Sequence, residues 1–469
     1  MATLVMKFGG TSVGSSKAIA QACDIVGSYT SQWKRLVVVV SAMSGVTDLL
    51  IQSAGSASRG DEKTYKSLID ELRRRHHSVI DDLIANDEVR NQLIDQIKEH
   101  LDELEAFCRS IHVLGEVTPR GMDTITSLGE RMNARVVTSA LQERGVNSQA
   151  INATDLIITD ATFQNAMPLM DITRDKIQTQ LVPLLNEGIV PIVTGFIAST
   201  EGGIITTLGR GGSDYTAAIL GDCLDAAEVW TWTDVDGVMT ADPRIVPEAR
   251  VIPDLSFSEV SELAYFGAKV LHPKTIRPIM EREMPLWVKN TFNPSYPGTR
   301  ITTSPKTKAG KVTAISTIRD LSMVTVEGRG MMGVPGIAAR TFAAVARQGA
   351  SVLMISQASS EQSICFVIPT TNVPSVIKSV EDEMALELTR RDIDRVWALD
   401  NIVIVTAVGA GLRNTPGIAG RIFSALGMAN INVIAIAQGS SEFSISIVVA
   451  ADEADYAMQQ IHQEVILNG

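Results

Sequence analysis

The segment Thr207–Ala218, TLGRGGSDYTAA, combines three glycines, one arginine and the start of a helical pattern. Its glycines allow positive φ and a close approach of the backbone to a ligand. Ser213 and Asp214 are residue types that favour an N-cap, so we predict that a helix starts there and continues through Leu220. Free N–H groups at a helix start bind anions, and the planar guanidinium of Arg210 suits a carboxylate or a phosphate. The alternative is a tight strand-to-helix turn that carries a surface arginine.

A second glycine-rich loop follows the first apolar run of the chain. The run Leu4–Phe8 contains one charged residue, Lys7, and the loop Gly9–Gly14 leads into a helical pattern over Ser16–Val26. This order predicts a strand, a phosphate-compatible turn and a helix, with the Lys7 ammonium group near the loop. The loop lacks the GxxxxGK[ST] pattern of P-loop nucleotide triphosphatases. Considered alone, Lys7 is better interpreted as a solvent-exposed residue of an edge strand, but the presence of two glycine-rich loops favours the phosphate-binding interpretation.

Composition and charge exclude several classes of protein. A chain of 469 residues is long enough for roughly two to four domains. The net charge of −12 argues against a nucleic-acid partner, which needs a basic surface. The four cysteines show no metal-binding spacing, so we expect buried thiols in a reducing compartment. The longest aliphatic run, Leu36–Val40, is too short to span a bilayer, and the first residues form a strand and not a signal peptide. We therefore expect a soluble, cytoplasmic protein with no membrane partner.

Residues 1–300 alternate between strand and helix patterns, which predicts an α/β domain. Continuous β-branched runs are typical of strands buried on both faces, and they occur at Leu36–Val40, Ile189–Thr194 and Glu228–Thr233. Residues 62–112 are charged and helical, so we predict an inserted helical hairpin whose charged face is solvated and without chemistry, with His76 and His77 exposed. The turn-forming segment Asn293–Gly298 predicts the end of this first domain.

The C-terminal part of the chain contains an internal repeat. The same residue types recur 81 positions apart at Val324 and Val405, Pro335 and Pro416, Arg340 and Arg421, Gln357 and Gln438, and Ser363 and Ser444. Two copies of one small module with the pattern β–turn–α–β–β–α therefore follow the first domain.

The two copies differ in their last strand. The first copy is followed by a further strand, Arg395–Leu399, whereas the second ends after the helix Asp452–Val465. An unassigned strand, Val312–Ile318, precedes the first copy. We predict that this strand completes the second module, so that the first module is inserted within it. The predicted domains are residues 1–300, the first module 320–400 and the second module 401–469.

Five ordered motifs resemble those of the aspartate kinases in the amino-acid kinase family. They are KFGGTSVGS (Lys7–Ser15), SAMSGVTDLL (Ser41–Leu50), TLGRGGSDYTAA, WTDVDGVMTADPR (Trp232–Arg244) and FGAKVLHP (Phe266–Pro273). The repeated tail resembles the paired ACT regulatory modules of these enzymes. The resemblance implies a three-layer α/β/α sandwich with a mainly parallel sheet, plus two ferredoxin-like βαββαβ modules. The implied reaction is phosphorylation of the L-aspartate β-carboxylate by ATP with Mg²⁺, the first step of lysine, threonine and methionine biosynthesis.

The resemblance also assigns catalytic and substrate-binding roles. Lys7 would neutralise charge on the transferred phosphoryl group, and Asp214 would organise Lys7 and the metal or, alternatively, cap the helix. Arg210 would bind the α-carboxylate of aspartate and Glu130 its α-ammonium group. Without the resemblance, Glu130 is better interpreted as a solvated carboxylate paired with a nearby arginine of its own helix. The full implied set is Lys7, Asp214, Thr47, Glu130, Arg210, Gly211, Gly212 and Ser213.

The resemblance places a longer set of residues at ATP. These are Lys7, Phe8, Gly9, Gly10, Thr233, Asp234, Met239, Arg244, Lys269 and Val270. Gly9 and Gly10 would donate backbone N–H groups to phosphate oxygens. Relatives often have tyrosine where this chain has Met239, and methionine is apolar and polarizable enough to line an adenine pocket. The resemblance implies no direct protein ligand to a metal, so Mg²⁺ would arrive with ATP.

The paired modules imply feedback regulation by an amino acid. The effector-binding positions by resemblance are Met332, Gly333, Val334, Gln357 and Gln438. Threonine-inhibited relatives carry similar segments to Ile355–Glu361 and Ile436–Glu442, and a glutamine amide can both donate to and accept from a hydroxyl. Threonine is therefore the favoured effector and lysine the second choice. Alternatively, both glutamines cap strands between the modules.

The resemblance further predicts a homodimer or larger homo-oligomer, because such modules usually pair across subunits. The homoserine dehydrogenase domain of some relatives is expected to be absent because the chain ends at Gly469. Two other functions stay open: a kinase of another acidic amino acid, and a non-catalytic amino-acid sensor that keeps the fold.

Overall fold

A computed structural model describes residues 2–268, 271, 273–305, 310–332, 334–357, 362–438 and 442–468. The chain divides into two compact units. Unit 1 contains Met1–Val238, Val251–Phe257 and Leu271–Pro305, and unit 2 contains Met239–Arg250, Ser258–Val270 and Lys306–Gly469. Within the described ranges, every helix is either too short or too polar to cross a bilayer.

The secondary structure alternates in unit 1 and repeats in unit 2. The strands are β1 (Thr3–Phe8), β2 (Arg35–Val40), β3 (Ser148–Ile151), β4 (Ile158–Thr159), β5 (Val190–Thr194), β6 (Ile197–Thr200), β7 (Ile205–Thr207), β8 (Glu228–Thr233), β9 (Asp254–Ser256), β10 (Leu286–Asn290), β11 (Thr299–Thr302), β12 (Ala314–Glu327), β13 (Met354–Gln357), β14 (Ser363–Pro369), β15 (Arg395–Val408), β16 (Ala435–Ala437) and β17 (Ser444–Ala450). The helices are α1 (Ser16–Thr30), α2 (Val46–Ser58), α3 (Glu62–Leu83), α4 (Asp87–Leu114), α5 (Pro119–Glu143), α6 (Met170–Asn186), α7 (Gly212–Cys223), α8 (Phe257–Tyr265), α9 (Pro273–Glu281), α10 (Ile337–Arg347), α11 (Val373–Glu383), α12 (Ala385–Arg390), α13 (Ile418–Met428) and α14 (Ala454–His462).

Unit 1 is built on an eight-stranded sheet with the order β3-β5-β2-β1-β8-β10-β11-β9. All neighbouring strands are parallel except β10 and β11. The predicted α/β class with a mainly parallel sheet is confirmed, and the predicted strand Glu228–Thr233 coincides with β8. The turn-forming segment Asn293–Gly298 connects β10 to β11 within this sheet. A smaller sheet in the same unit has the order β4-β6-β7.

Helices cover both faces of the eight-stranded sheet because its central strands are apolar on both sides. Along β1, Leu4, Met6 and Phe8 belong to one core cluster with residues of α1 and α5. Side chains alternate along a strand, so Lys7 points to the opposite face, where α7 packs against β1. The single charged residue of β1 is thereby directed away from the largest core and toward the start of α7.

The predicted helical hairpin is present as α3 and α4, which pack against each other and against α2. One expectation for it was wrong: His76 is completely buried, and its Nδ1 lies 2.8 Å from Leu72 O. The reason is helical spacing, because His76 lies on the same stripe as the buried residues Ile69, Leu72 and Ile80. Burial lowers the pKa of His76 to about 4, so the ring is neutral at physiological pH.

Unit 2 contains a six-stranded antiparallel sheet with the order β13-β14-β12-β15-β17-β16. Its two central strands, β12 and β15, have 14 residues each. The first half of β12, Ala314–Ile318, pairs with Ile404–Val408, and its second half pairs with β14 and with the first half of β15. Each repeat thus has four strands, with one half of β12 and one half of β15 in each. The division of the chain at residues 300, 320 and 400 stays a prediction.

Each repeat also contains an arginine–glutamate pair at an equivalent position. Arg340 Nε lies 3.0 Å from Glu383 Oε1, and Arg421 Nε lies 2.9 Å from Glu464 Oε1. Both residues of the second pair follow those of the first pair by 81 positions, which is the period of the repeat. Residues 239–250 also pack in unit 2, where Ala241 and Val246 join the core cluster of the second repeat.

The pairing of the first half of β12 can be tested at Gly409. A Cβ atom at Gly409 would lie 2.1 Å from Lys311 O, whereas one at Gly420, in the first turn of α13, would meet nothing within 4 Å. Gly409→Ala should therefore lower the free energy of unfolding by about 1–3 kcal/mol, because the backbone must move. Gly420→Ala should leave it unchanged or raise it by up to about 1 kcal/mol. Urea unfolding followed by circular dichroism measures both, and equal effects would contradict the pairing.

Candidate active site

The chemistry-bearing residues of unit 1 surround a cavity of about 440 Å³. It is lined by Lys7, Gly10, Ser41, Ala42, Met43, Ser44, Gly45, Thr47, Asp48, Glu130, Phe196, Gly209, Arg210, Gly211, Gly212, Ser213 and Asp214. Lys7 comes from the end of β1, Ser41 follows β2, and Phe196 follows β5. The cavity therefore lies at the carboxyl ends of parallel strands, where open α/β sheets usually bind ligands.

Lys7 and Asp214 form a buried ion pair beside the cavity. The Lys7 Nζ–Asp214 Oδ1 distance is 2.7 Å, and the two side chains are only 10% and 18% exposed. Because β1 is a central strand, the alternative of a solvent-exposed edge lysine is excluded. Asp214 lies in the first turn of α7, but the N-cap is Gly211, with φ of 71°, and no side chain caps the helix. The predicted N-caps Ser213 and Asp214 were therefore wrong, because the glycine turn starts the helix earlier.

Arg210 is an open cation at the rim of this cavity. Its side chain is exposed, and no carboxylate in the described part of the chain pairs with it. The backbone around it is tightly packed: a Cβ at Gly212 would lie 2.6 Å from the ring of Phe196. Ser213 is held by Ser41, whose hydroxyl donates to Ser213 Oγ at 2.9 Å. An exposed cation thus projects from a closely packed loop.

Glu130 supplies the opposite charge and is almost completely buried, with 3% exposure. Its Oε1 accepts the Ala42 N–H at 3.2 Å, while its Oε2 has no hydrogen-bond partner among the described residues. Burial raises the pKa of Glu130 to about 8. The alternative of a solvated carboxylate paired with Arg131 or Arg135 is excluded, because Arg131 lies 3.4 Å from Glu103 and Arg135 donates to Arg131 O. Glu130 is a buried group that lacks one partner.

Two further contributors to the cavity were missed from the sequence. Asn133 Nδ2 donates to Ser41 O at 2.6 Å, which fixes the backbone that holds Ser213. Asn133 follows Glu130 by three positions on α5, and this one-turn spacing was the available signal. Arg75 of α3 donates to Ser44 O at 3.1 Å. The helical hairpin, expected to have only a solvated face, therefore contacts a loop that lines the cavity.

The residues predicted to bind ATP are distributed more widely. The Phe8 ring is 1% exposed and stacks on Trp232 at 5.9 Å between ring centroids, so only its backbone is available. Gly9 N–H donates to Trp232 O at 3.0 Å, whereas Gly10 lines the cavity. Thr233 and Asp234 lie at the end of β8 and share a hydrogen bond of 3.1 Å.

The other predicted positions lie elsewhere. Met239 and Arg244 belong to unit 2, where Arg244 Nε donates to Asp242 Oδ1 at 3.0 Å. Gln357 ends β13, and Gln438 follows β16; both are exposed, as are Met332 and Val334. Lys269, Val270 and Gly333 lie outside the described residues. The roles of all these positions stay predictions.

Known proteins resemble this chain over nearly all of its length. The profile of the amino acid kinase family matches residues 2–290, and the ACT domain profile matches residues 324–384 and 405–465. The bifunctional aspartokinase/homoserine dehydrogenase 1 of Zea mays chloroplasts is 38% identical over 99% of this chain and 50% of that protein. The chain spans about half the length of the bifunctional relatives that it matches.

Two further matches cover most of this chain and most of the matched protein. Aspartokinase 1 of Arabidopsis thaliana chloroplasts is 34% identical over 100% of this chain and 81% of that protein. The crystal structure of E. coli aspartokinase III in complex with aspartate and ADP is 30% identical, covers 99% of both chains and has a TM-score of 0.81. The chain therefore belongs to the amino acid kinase family, within its group of aspartokinases that carry two ACT domains.

Proposed function

We propose that the chain transfers the γ-phosphoryl group of ATP to the β-carboxylate of L-aspartate, giving 4-phospho-L-aspartate. The observation that carries this proposal is the buried Glu130 carboxylate, one oxygen of which has no partner among the described residues, in the same cavity as Arg210, with which no described carboxylate pairs. An amino-acid substrate presents one carboxylate and one ammonium group, and the cavity offers one group for each. The proposal places the reaction at the first step of lysine, threonine and methionine biosynthesis.

Substrate recognition follows from the two charges. Arg210 would bind the α-carboxylate through two parallel N–H donors. Glu130 would accept the α-ammonium group, which provides the missing partner for Oε2 and favours the ionised carboxylate. Thr47 and Ser213 would add hydroxyl contacts. With its α groups fixed, aspartate would direct its β-carboxylate toward the Lys7 side of the cavity.

Phosphoryl transfer requires mainly positioning and charge neutralisation. The Lys7 ammonium would contact the transferred group, and Asp214 would hold that ammonium in place through the 2.7 Å ion pair. The Gly10 N–H would bind a phosphate oxygen, and Thr233 and Asp234 would contact the nucleotide. Met239, Arg244, Lys269 and Val270 are proposed as further nucleotide contacts.

Mg²⁺ is proposed as the accompanying ion. Within the described ranges, no group of three His, Cys, Asp or Glu side chains could hold a metal. Mg²⁺ that binds together with ATP usually takes most of its ligands from phosphates and water. Bound in this way, it would neutralise charge on the phosphates, and Asp214, which lines the cavity beside Lys7, would help to orient it.

Relatives support the same substrates. The E. coli aspartokinase III structures contain aspartate and ADP in one case, and lysine and aspartate in the other. Both are 30% identical to this chain over 99% of its length. A kinase of another acidic amino acid would need a different distance between the α groups and the phosphate, so the substrate screen below distinguishes it.

For regulation, we propose threonine as the inhibitor, with lysine as the second candidate. Gln357 and Gln438 occupy equivalent places at the ends of β13 and β16, and both amides are exposed to solvent. The same two strands end the six-stranded sheet and expose Ile355 and Ile436, with 52% and 46% exposure. Exposed apolar residues on edge strands favour association, which supports a homodimer through the ACT domains.

The proposed reaction is tested by trapping the acyl phosphate with hydroxylamine. The purified chain with ATP and Mg²⁺ should form the hydroxamate with L-aspartate and far less with L-glutamate. Lys7→Ala should lower kcat by at least about a hundredfold, because charge stabilisation is lost in the transition state. Product with glutamate alone would favour the other acidic amino-acid kinase. Product with neither would contradict the proposal and favour a sensor.

The raised pKa of Glu130 predicts a pH dependence of substrate affinity. Below the free-protein pKa of about 8, Glu130 must lose a proton before it can accept the ammonium group. The aspartate dissociation constant should therefore rise by about tenfold per pH unit as the pH falls from about 8 toward 6. Calorimetric titrations measure this slope. Glu130→Gln should bind weakly and without the slope, and the exposed control Glu116→Gln should keep it; a flat parent profile would contradict the assignment.

The effector assignment predicts a separable loss of regulation. Gln438→Ala should weaken inhibition by threonine several-fold to a hundredfold, the usual range of allosteric coupling. Its uninhibited kcat should stay near the parent value because Gln438 is in unit 2, away in sequence from the cavity residues. Inhibition curves with threonine, lysine and methionine measure this effect. If lysine alone inhibits both the parent and the variant, the effector is lysine and not threonine.

A further inference from the structure

One buried carboxylate near the cavity has no role in the proposed chemistry. Asp123 lies on α5 and is 1% exposed. Its Oδ2 accepts the Gln164 N–H at 2.9 Å and the Thr207 N–H at 3.0 Å. Its Oδ1 accepts the Thr207 hydroxyl at 2.9 Å. A carboxylate this deeply buried needs such donors. Asp123, Gln164 and Thr207 therefore form one hydrogen-bonded unit, here named the Asp123 clamp.

The Asp123 clamp holds the segment that leads to Arg210. Thr207 is the last residue of β7 and precedes Arg210 by three positions. The carbonyl of Thr207 is also bound, by the Ala166 N–H at 2.9 Å. Three polar atoms of Thr207 are thus fixed. Asp123 binds two of them, and the third is bound by the loop between β4 and α6, here named the adjoining loop.

The adjoining loop supports the next residues of the same segment. A Cβ at Gly209 would lie 3.0 Å from Gln164 O and 2.9 Å from Asn165 Oδ1, so Gly209 rests directly on this loop. Gln164 has φ of 67°, an unfavourable region for a residue with a side chain. Such a conformation persists when the surroundings fix it, and the bond from Gln164 N–H to Asp123 is one such constraint.

Asp123 and Glu130 project from the same helix. Glu130 follows Asp123 by seven positions, which is about two turns and about 10 Å along one face of α5. One helix therefore carries the anion that would bind the ammonium group and also the anchor of the loop that carries the cation.

We propose that Asp123 is a positioning residue that fixes Arg210 relative to Glu130 and thereby makes the cavity selective for an acceptor of the length of aspartate. The inference rests on the proposed function, in which Arg210 and Glu130 hold the α groups. With both groups fixed, the β-carboxylate of aspartate reaches the phosphate, whereas the longer side chain of glutamate is displaced by one methylene. A loosened Arg210 lets the α groups shift and reduces this discrimination.

The main test compares Asp123→Ala with Asp123→Asn. Asp123→Ala should raise the aspartate KM about 10- to 100-fold, since a misplacement near 1 Å has effects of that size. The ATP KM should stay within about twofold, and the ratio of kcat/KM for aspartate over glutamate should fall by about tenfold. Asp123→Asn should keep an aspartate KM and a selectivity for aspartate over glutamate close to those of the parent. The reason is that its Oδ1 can accept the two N–H groups while its Nδ2 donates to the Thr207 hydroxyl.

Thr207→Val and Thr173→Val form a matched pair of controls. Both remove a buried hydroxyl in unit 1, but Thr173 bonds to Ile158 and not to the Asp123 clamp. Thr207→Val should raise the aspartate KM by several-fold, and Thr173→Val should leave it unchanged. If Asp123→Ala fails to fold, this pair decides the question by itself. Equal effects of the two valine variants on KM would overturn the proposal.

Hydrogen exchange separates this proposal from the proposed function. Amides of residues 207–212 should exchange faster in Asp123→Ala than in the parent, and parent-like exchange would overturn the proposal whatever the activity. If the parent phosphorylates no amino acid, the proposed function fails, and faster exchange at 207–212 still supports the positioning role of Asp123. If Asp123→Ala is active with the KM values and the selectivity of the parent, the positioning role of Asp123 is also overturned. A similar rise of both the aspartate and the ATP KM would point to a general structural role and contradict selectivity.

Discussion

The buried ion pair between Lys7 and Asp214 is the interaction on which the cavity depends. A buried, charged lysine near the end of a central strand is unfavourable unless an anion accompanies it, and removing one partner of such a pair typically costs about 3–5 kcal/mol. Asp214 can be that anion only if α7 begins immediately above the end of β1. The glycine turn before α7 meets this condition, since Gly211 adopts the positive φ that starts the helix early. The requirement for charge neutralisation thus fixes the position of the loop that carries Arg210.

Helix α5 carries three buried polar side chains at or near the cavity, Asp123, Glu130 and Asn133. Glu130 and Asn133 each retain a buried oxygen without a hydrogen-bond partner among the described residues, while Asp123 is fully engaged by three donors. A fully hydrogen-bonded buried carboxylate and a half-satisfied one have opposite effects on the stability of the free protein. An engaged buried carboxylate stabilises the local structure, whereas a half-satisfied one destabilises the free protein and gains a partner when a ligand binds. Perturbed buried carboxyl groups of the second kind are typical of functional sites.

Sequence patterns predicted the features that depend on local composition. The limits of β8 were predictable because a continuous apolar run is characteristic of a strand buried on both faces, and Lys7 was recognisable as the one charge in such a run. The burial of His76, the N-cap at Gly211 and the anchoring role of Asp123 were not predicted. The burial of His76 follows the spacing of apolar residues in its own helix and was readable there. The N-cap depends on the φ of a glycine turn, and the anchor at Asp123 depends on residues distant in sequence. Thr207, for example, follows Asp123 by 84 positions.

The long strands β12 and β15 have a consequence for how the C-terminal half can be rearranged. Each strand runs through both ACT repeats, and the second repeat obtains one of its four strands from residues that precede the first. A fragment that begins at residue 401 would expose the open side of β15 along Ile404–Val408, where Ala314–Ile318 pairs in the intact chain. Gene fusions that transplant a single repeat would therefore inherit an unpaired, aggregation-prone edge, whereas a transplant that keeps both repeats from before residue 312 preserves the pairing of β12 with β15.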